Sequence, residues 1–522
     1  MAPVTETAGT RLWARLCPLL DGLAIGAFVE ALEQGGALAE LGTPGKPLEV
    51  DVLASRWGTR AGYLHLFLRA LAQLGLVQMQ PRVDGPCLVC LTPSGHEWLG
   101  RAAAYRGFSY RLEEAAMTFD WLDGGAAPPV RVPYLPAAAR GDAPVARMIA
   151  QHLRGPLVGA LLSACFRRAT GGGTSVSPTP EQLWEAAGSA RVYAAALLTE
   201  QGWGQWEGGM FRLMPEGALA LSAAPQFFHT LSYLPTLLRS GRLLFGQDAL
   251  PPTVGADGRE THLDRTLDIA FSGLVFRRTC APRLLAMMAP LFADTACAPR
   301  CIVDVGCGDG TLLLTLGREL PGAGGVLLVG VDPAPEAREQ TRSVLTSAGL
   351  PNLLFSGDIA DPQAIAQHLA TMGHDLREGL FISKSVFHDR RYEPPVESVP
   401  TPEGTPSRCL FIAEDGTCLP TREVERHLLD LLGRWRSWIG HHGMVVIEAH
   451  TADPADAAQA AGRHILVPLE ITHGLSHQYL MESERFRALV EQAGYLPVEQ
   501  HDLNGWMVGK PLMTIDRYVV RS

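Results

Sequence analysis

The chain has 522 residues, 47% of them hydrophobic and 19% charged, with a formal net charge of −10. That balance excludes a disordered chain, requires two or more domains, and, with no basic tract, excludes a nucleic-acid backbone as partner. The ten cysteines are scattered and no signal-peptide pattern precedes them, so they read as reduced thiols of a cytoplasmic protein. Cys87-x-x-Cys90 has no second CxxC or nearby His pair and reads as ordinary strand cysteines. No apolar run reaches the roughly 18–20 residues of a membrane span, so no membrane is expected.

Taken in chain order, the first half is helix-rich. Leu16–Leu32 is an apolar stretch of helical period. Val52–Val77 predicts two helices, with Gly75 stopping the second. The strand Cys87–Leu91 follows and leads into TPSGHEWL. Helix, turn, helix and wing is the order of a winged helix. The pattern recurs: Pro180–Gly188 and Arg191–Gly202 lead to MFRLMPEGALAL, again with a Gly stop, a wing strand and a Pro-x-Gly turn. The would-be recognition helix, Gly62–Gly75, offers only Arg69 and the flanking Arg60 as cations, too few for phosphate binding. Dimerisation or a substrate lid suits it better. Thr170–Thr179 (TGGGTSVSPT) reads as a linker, and Phe276–Phe292 as the helix that opens the second half.

From Ala298 onward strands alternate with helices. The predicted strands are Cys301–Val305, Gly325–Val331, Asn352–Phe355, Gly379–Ser383 and Gly443–Ile447, closed by Tyr495–Asn504 and Leu512–Val520. This predicts an α/β doubly wound sheet. The first strand runs into CIVDVGCGDGTL, a glycine-dense turn at a carboxyl strand end, where such sheets bind nucleotides. The spacing is Gly-x-Gly-x-Gly, not GxGxxG, and Asp304 and Asp309 flank it. A pyrophosphate disfavours those carboxylates, whereas a cationic nucleoside does not. DVGCGDG closely resembles the loop of class I S-adenosylmethionine methyltransferases. On that reading Gly306, Cys307 and Gly308 hold the cofactor, Asp332 accepts the ribose hydroxyls, and Asp358 with Ile359 meets the adenine. Lys384, at the end of the fourth strand, completes the cofactor set.

Beyond the cofactor, the fourth strand ends in SKSVFHDRRY, with Lys384, Ser385, His388, Asp389 and Arg390. The fifth ends in VVIEAHT, with Glu448 and His450, and ITHGLSHQYLM follows with His473, His477 and Gln478. Histidines converging on one cleft suit either a general base or a divalent metal held by two His and an oxygen ligand. His473 and His477 share a helix face, while the adjacent His477 and Gln478 diverge.

The segments LSYLPTLL, HLDRTLDIAFSG, VDVGCGDGTLL, SKSVFHDRRY and HGLSHQYL, in that order, resemble the metal-dependent C-methyltransferases of polyketide synthase loading modules, known from the apratoxin and gephyronic acid assembly lines. The resemblance covers Leu231 to the C-terminus and, more loosely, the N-terminal half. It implies a class I methyltransferase core (276–522) under a large, mostly helical lid with winged-helix-like units (1–275). It implies methylation of the α-carbon of a malonyl or methylmalonyl group on an acyl carrier protein, beside other polyketide synthase domains. It also implies a divalent transition metal, iron or manganese, on His450, His473 and Gln478, stabilising the enolate as a Lewis acid. The Phe-His-Asp at 387–389 departs from the Asp-His-Asp expected and leaves the role of His388 open. The base stays open among Tyr233, Tyr392, Tyr479, an unliganded His such as His388, and metal-bound hydroxide. Arg265 in HLDR is either a carboxylate clamp or a salt-bridge residue, and Glu448 either orients His450 or caps its strand. The alternative is a metal-independent small-molecule O-methyltransferase with a His base.

Overall fold

A computed structural model describes residues 8–42, 46–82, 85–122, 135–171, 178–248, 261–294, 296–395, 398–505 and 507–521. They form two compact units. The first comprises Met1–Pro251, Thr261–Phe271 and Pro454–Leu475, and the second Pro252–Glu260, Ser272–Asp453 and Ser476–Ser522. The division therefore differs from a single cut at 275/276. It runs through the helical stretch that begins at Arg265, and it assigns a segment following the fifth sheet strand to the first unit. Of the expected linker Thr170–Thr179, residues 172–177 lie outside the described set.

Two helices of 27 residues, Ala8–Gln34 and Pro144–Thr170, pack together in the first unit. Contrary to the sequence expectation, Gly9–Gln34 is long and apolar enough to cross a membrane. Its apolar length is spent inside the unit, where Leu16, Leu23 and Phe28 are fully buried.

The internal repeat is present in the backbone. The first copy comprises helices Val50–Trp57 and Ala61–Gln73, the hairpin Val77–Arg82 with Gly85–Leu91, and helix Pro93–Leu99. The second comprises helices Pro180–Ala186 and Arg191–Glu200, the hairpin Gly204–Glu207 with Met210–Leu213, and helix Pro215–Ser222. Gly75 and Gly202 end the second helix of each copy in the left-handed region, at φ 70° and 65°. The next residues, Leu76 and Trp203, accept bonds from Thr92 N (3.0 Å) and Met214 N (2.9 Å). A Cβ at Gly95 or Gly217 would lie 1.9 Å from those same two carbonyl oxygens, so each Pro-x-Gly turn takes glycine for one packing reason.

Arg69, on the would-be recognition helix, is buried and spent on Glu470. Its Nε and a terminal nitrogen donate to the carboxylate at 2.6 and 3.0 Å. Arg69→Met removes both of these bonds from the buried Glu470 carboxylate. We expect it to lower unfolding free energy by about 3–5 kcal/mol, read from the urea midpoint. Replacing both partners by apolar residues should recover most of that loss.

The second unit holds a seven-stranded sheet. Its strands are β1 (Cys301–Val305), β2 (Leu327–Val331), β3 (Asn352–Phe355), β4 (Leu380–Lys384), β5 (Met444–Ala449), β6 (Tyr495–Leu503) and β7 (Met513–Val520). The order is β3-β2-β1-β4-β5-β7-β6. The first five strands are parallel, and β7 is inserted antiparallel between β5 and β6. This is the class I methyltransferase sheet that the sequence predicts. β1 is buried at all five positions because both faces are covered, which is why parallel strands read as continuous apolar runs. Val303, Val331, Phe381 and Trp435 fill one face, and Ile302, Leu328, Ile382 and Val445 the other. From β1 the chain winds outward to β3 and then returns to β4 on the opposite side. The crevice beyond the carboxyl ends of β1 and β4 is therefore the switch point where ligands bind.

Candidate active site

β1 ends at that crevice and runs directly into the glycine loop. Gly306 has φ 82° and donates its N–H to Val331 O at 2.7 Å, tying the loop to β2. A Cβ there would stand 2.4 Å from Val386 Cγ2, so the loop also packs against the chain leaving β4. Gly308, at φ 53°, faces open space, where a ligand can meet the backbone. The helix Thr311–Glu319 follows, and Asp309 accepts from Thr311 N at 2.9 Å and Thr311 Oγ1 at 2.7 Å. Cys307 is buried with its thiol against Thr341, and burial raises its pKa. It serves the loop through its backbone.

Asp332, buried at the end of β2, accepts from Gly308 N at 3.1 Å and Ala334 N at 2.9 Å, which fixes its carboxylate beside the loop. Asp304, in β1, is a buried carboxylate that the sequence reading left outside the candidate cofactor set. It is 1% exposed, and among the described residues its Oδ1 has no hydrogen-bond partner. Burial pushes its pKa up to about 7, with Lys384 pulling the other way and Asp332 and Asp309 adding to the rise. A buried carboxylate beneath a glycine loop is an acceptor for an ammonium group. The sequence signal was available: an acid within the strand immediately before Gly-x-Gly-x-Gly. Lys384, at the end of β4, donates to Ser272 Oγ. Ile359 is buried, with its carbonyl accepting from Trp435 Nε1 at 2.7 Å. Asp358 is exposed and caps its own turn through Ala360 N at 2.8 Å. The orphaned Asp304, the fixed Asp332 and the open Gly308 fit an amino-acid-bearing cationic nucleoside, which S-adenosylmethionine is.

β4 and β5 are parallel neighbours, and their ends carry a buried acid–base pair. Ser385 leaves β4 at φ 59°, a left-handed conformation uncommon outside glycine, while its N–H donates to Ile447 O at 2.8 Å. The turned chain brings His388 onto Glu448, where Nδ1 meets Oε1. Glu448 also accepts from Phe387 N at 3.1 Å and Ala449 N at 2.9 Å, so its carboxylate is held on three sides. The pair is 6% and 2% exposed. Burial disfavours the imidazolium, but Glu448 and Asp389 outweigh burial and hold His388 above its ordinary pKa. Burial likewise raises Glu448, yet His388 outweighs it and keeps the carboxylate below its ordinary value. Nδ1 is thereby committed to Glu448. Tyr392 is half-buried, its ring 6.2 Å from that of Tyr479, whose backbone N–H donates to His388 O at 2.7 Å.

His473 falls in the first unit, and His450 and Gln478 in the second. His450 is fully buried, its Nδ1 3.3 Å from Met481 O and its Nε2 2.9 Å from Thr514 Oγ1. A carbonyl only accepts, so Nδ1 carries the hydrogen and Nε2 accepts from the threonine hydroxyl. Burial pushes its pKa down to about 4, so the ring is neutral and both nitrogens are occupied. His450 thus has no nitrogen open to a metal, and its bonds tie the end of β5 to β7. Glu448 correspondingly holds His388 and does not orient His450. In the first unit, His473 Nδ1 donates to Leu469 O at 2.6 Å, and its ring lies 5.3 Å from that of His229, which also neighbours Tyr233. Arg265 pairs with Asp268 at 3.2 Å within its own helix. We expect His450→Ala to lower stability by about 1–3 kcal/mol in thermal melts while the folded fraction keeps its methyl-transfer rate.

Residues 260–507 match the family model of the AprA MT2-like domain. No curated protein matches the chain. Among solved structures, an O-methyltransferase family protein from Burkholderia thailandensis is 16% identical at TM-score 0.41, over 70% of this chain and 94% of that one. The CurJ carbon methyltransferase is 12% identical at TM-score 0.35, over 80% and 99%. The DszA carbon methyltransferase is 15% identical at TM-score 0.34, over 70% and 89%. These likenesses add nothing to what the strand order already gives. The family match covers β1 to β6 and the glycine loop, and with it the chain is an S-adenosylmethionine-dependent methyltransferase.

Proposed function

We propose that the chain methylates the α-carbon of a malonyl or methylmalonyl thioester on an acyl carrier protein in polyketide starter-unit synthesis, with His388 as the base. The observation that carries the base assignment is the buried His388–Glu448 pair at the ends of adjacent strands β4 and β5. The substrate class is supported by the SKSVFHDRRY and HGLSHQYL resemblance and by the match of residues 260–507.

Asp332 and Asp304 hold the cofactor's ribose and amino group at the glycine loop, and Gly308 admits it. Bound there, S-adenosylmethionine supplies a methyl carbon made electrophilic by its sulfonium. His388 Nε2 takes the α-proton of the thioester, and Glu448 stabilises the imidazolium that results. The electron pair left on the α-carbon would form the new bond to the methyl carbon as the methyl–sulfur bond breaks, its pair staying on the sulfur of the departing S-adenosylhomocysteine. Transfer requires these atoms to be held roughly 3–3.5 Å apart. Burial of the pair excludes water, so the proton is not lost to solvent before transfer. Since His450 does not fit a metal, no step is routed through one.

The test is incubation of the purified chain with S-adenosylmethionine and malonyl- or methylmalonyl-carrier protein, followed by mass spectrometry of the acyl group. A gain of one methylene on the acyl chain is the expected result. An unmodified carrier beside a methylated free phenol would replace this reading with an O-methyltransferase using the same dyad.

A further inference from the structure

We propose that Arg390 is a positioning residue for His388, fixing the turn that carries the imidazole and opposing Glu448 electrostatically across it. The inference rests on the reading of His388 as base. Arg390 is 3% exposed, and among the described residues no carboxylate lies within ion-pair distance of it. A buried guanidinium without a carboxylate is costly, and its retention needs a reason. Its donors reach three separate acceptors. One terminal nitrogen bonds Phe387 O, the residue before the base. The other bonds Val424 O at 3.0 Å, on the helix Thr421–Arg436, and Nε bonds His427 Nδ1 at 3.3 Å. Burial, with Arg390 and Arg434, pushes His427 down to about 3, so that ring is neutral and accepts. The guanidinium lies 5.4 Å from the ring centroid of Tyr479, the residue bonded to His388 O. One planar cation therefore holds the turn on both sides of His388, which a flexible ammonium with the same charge would not do.

The charges around the base set the second half of the argument. Glu448 faces His388 from β5, and Asp389 and Arg390 from its own turn. His427 approaches Arg390 from the helix, Tyr479 from the segment after His477, and His450 faces Glu448. Glu448 and Asp389 favour the imidazolium, which cannot accept a proton, and Arg390 favours the neutral ring that can. Arg390 thus keeps a tightly held histidine usable as a base.

The experiment compares wild type, Arg390→Met and Arg390→Lys in the full chain. It reads S-adenosylmethionine affinity, the pH profile of methyl transfer, and the His388 titration followed by NMR of ring-labelled histidine. Arg390→Met is expected to raise the His388 titration and the acid limb together by ~0.5–1 pH unit, with cofactor affinity unchanged. Arg390→Lys keeps the charge and loses the fork, so the limb stays near wild type while kcat falls by about tenfold. If Arg390→Met does not fold, Arg390→Lys alone still tests the fork. A folded Arg390→Met with an unmoved His388 titration, or Arg390→Lys with wild-type kcat, overturns the proposal. The NMR titration needs no turnover, so a His388 that proves not to be the base is recognised separately, by activity surviving in His388→Ala.

Discussion

His388→Ala leaves cofactor binding within about twofold and lowers methyl transfer by ~10²–10⁴-fold. Isothermal titration with S-adenosylmethionine and single-turnover kinetics read the two quantities separately. The reason is positional: the imidazole stands beyond β4 on Glu448, while the proposed cofactor contacts of Asp304 and Asp332 come from β1 and β2. Glu448→Gln should cost a smaller factor, because the amide still bonds the ring but no longer stabilises its cation. The pH dependence has a fixed sign. A base works deprotonated, and His388 is held above its ordinary pKa of about 6.5, so the rate rises with pH through a midpoint above 6.5. Stability runs the other way for this group. The raised His388 contributes fully below about 6.5 and loses that contribution as pH rises through its folded value. Glu448, held low, contributes above its unfolded value and loses its share as pH falls through the folded one. A rate profile flat from pH 6 to 9, or a fully active His388→Ala, would remove His388 from the mechanism.

Gly306→Ala is expected to weaken S-adenosylmethionine binding by about tenfold or more while leaving the sheet folded. Two costs add. The residue sits at φ 82°, which an L side chain enters at about 1–3 kcal/mol. The new methyl would stand 2.4 Å from Val386 Cγ2, so the loop or the chain leaving β4 must shift. Either shift moves Gly308 relative to Asp332 and breaks their 3.1 Å bond. Calorimetric titration gives the affinity, and circular dichroism confirms the fold. Because Val386 lies between Ser385 and His388, kcat should fall as well in whatever fraction binds. Gly308→Ala separates the effects, since its Cβ meets nothing and only the backbone cost at φ 53° remains.

The glycine loop, the strand order and the winged-helix repeat were legible because their signals are local. A strand, a Gly-x-Gly-x-Gly turn and a helix occupy adjacent residues, and the chemistry of each is set within a few positions. The repeat was legible because each copy needs glycine at one carbonyl, Leu76 or Trp203, and the Pro-x-Gly turn marks the place. The dyad was not legible. His388 and Glu448 are 60 residues apart, joined only because β4 and β5 pair in parallel. The sequence instead offered Glu448 its near neighbour His450, a plausible strand-end partner. The structure gives His450 to Met481 O and Thr514, groups supplied by a distant loop and by β7.

The sequence by itself determined the sheet, the cofactor loop and the presence of titratable residues at the ends of β4 and β5. Those follow from period, turn chemistry and burial of parallel strands, properties that a stretch of chain carries wherever it goes. Tertiary structure decided which titratable residues act together. The Met481 carbonyl and antiparallel β7 fill the two nitrogens of His450, the left-handed Ser385 turns His388 onto Glu448, and the desolvated Asp304 is left with an unmatched oxygen. The physical reason is that an imidazole is a base, a ligand or a strut according to which groups meet its two nitrogens, and those groups come from strands that are distant in sequence.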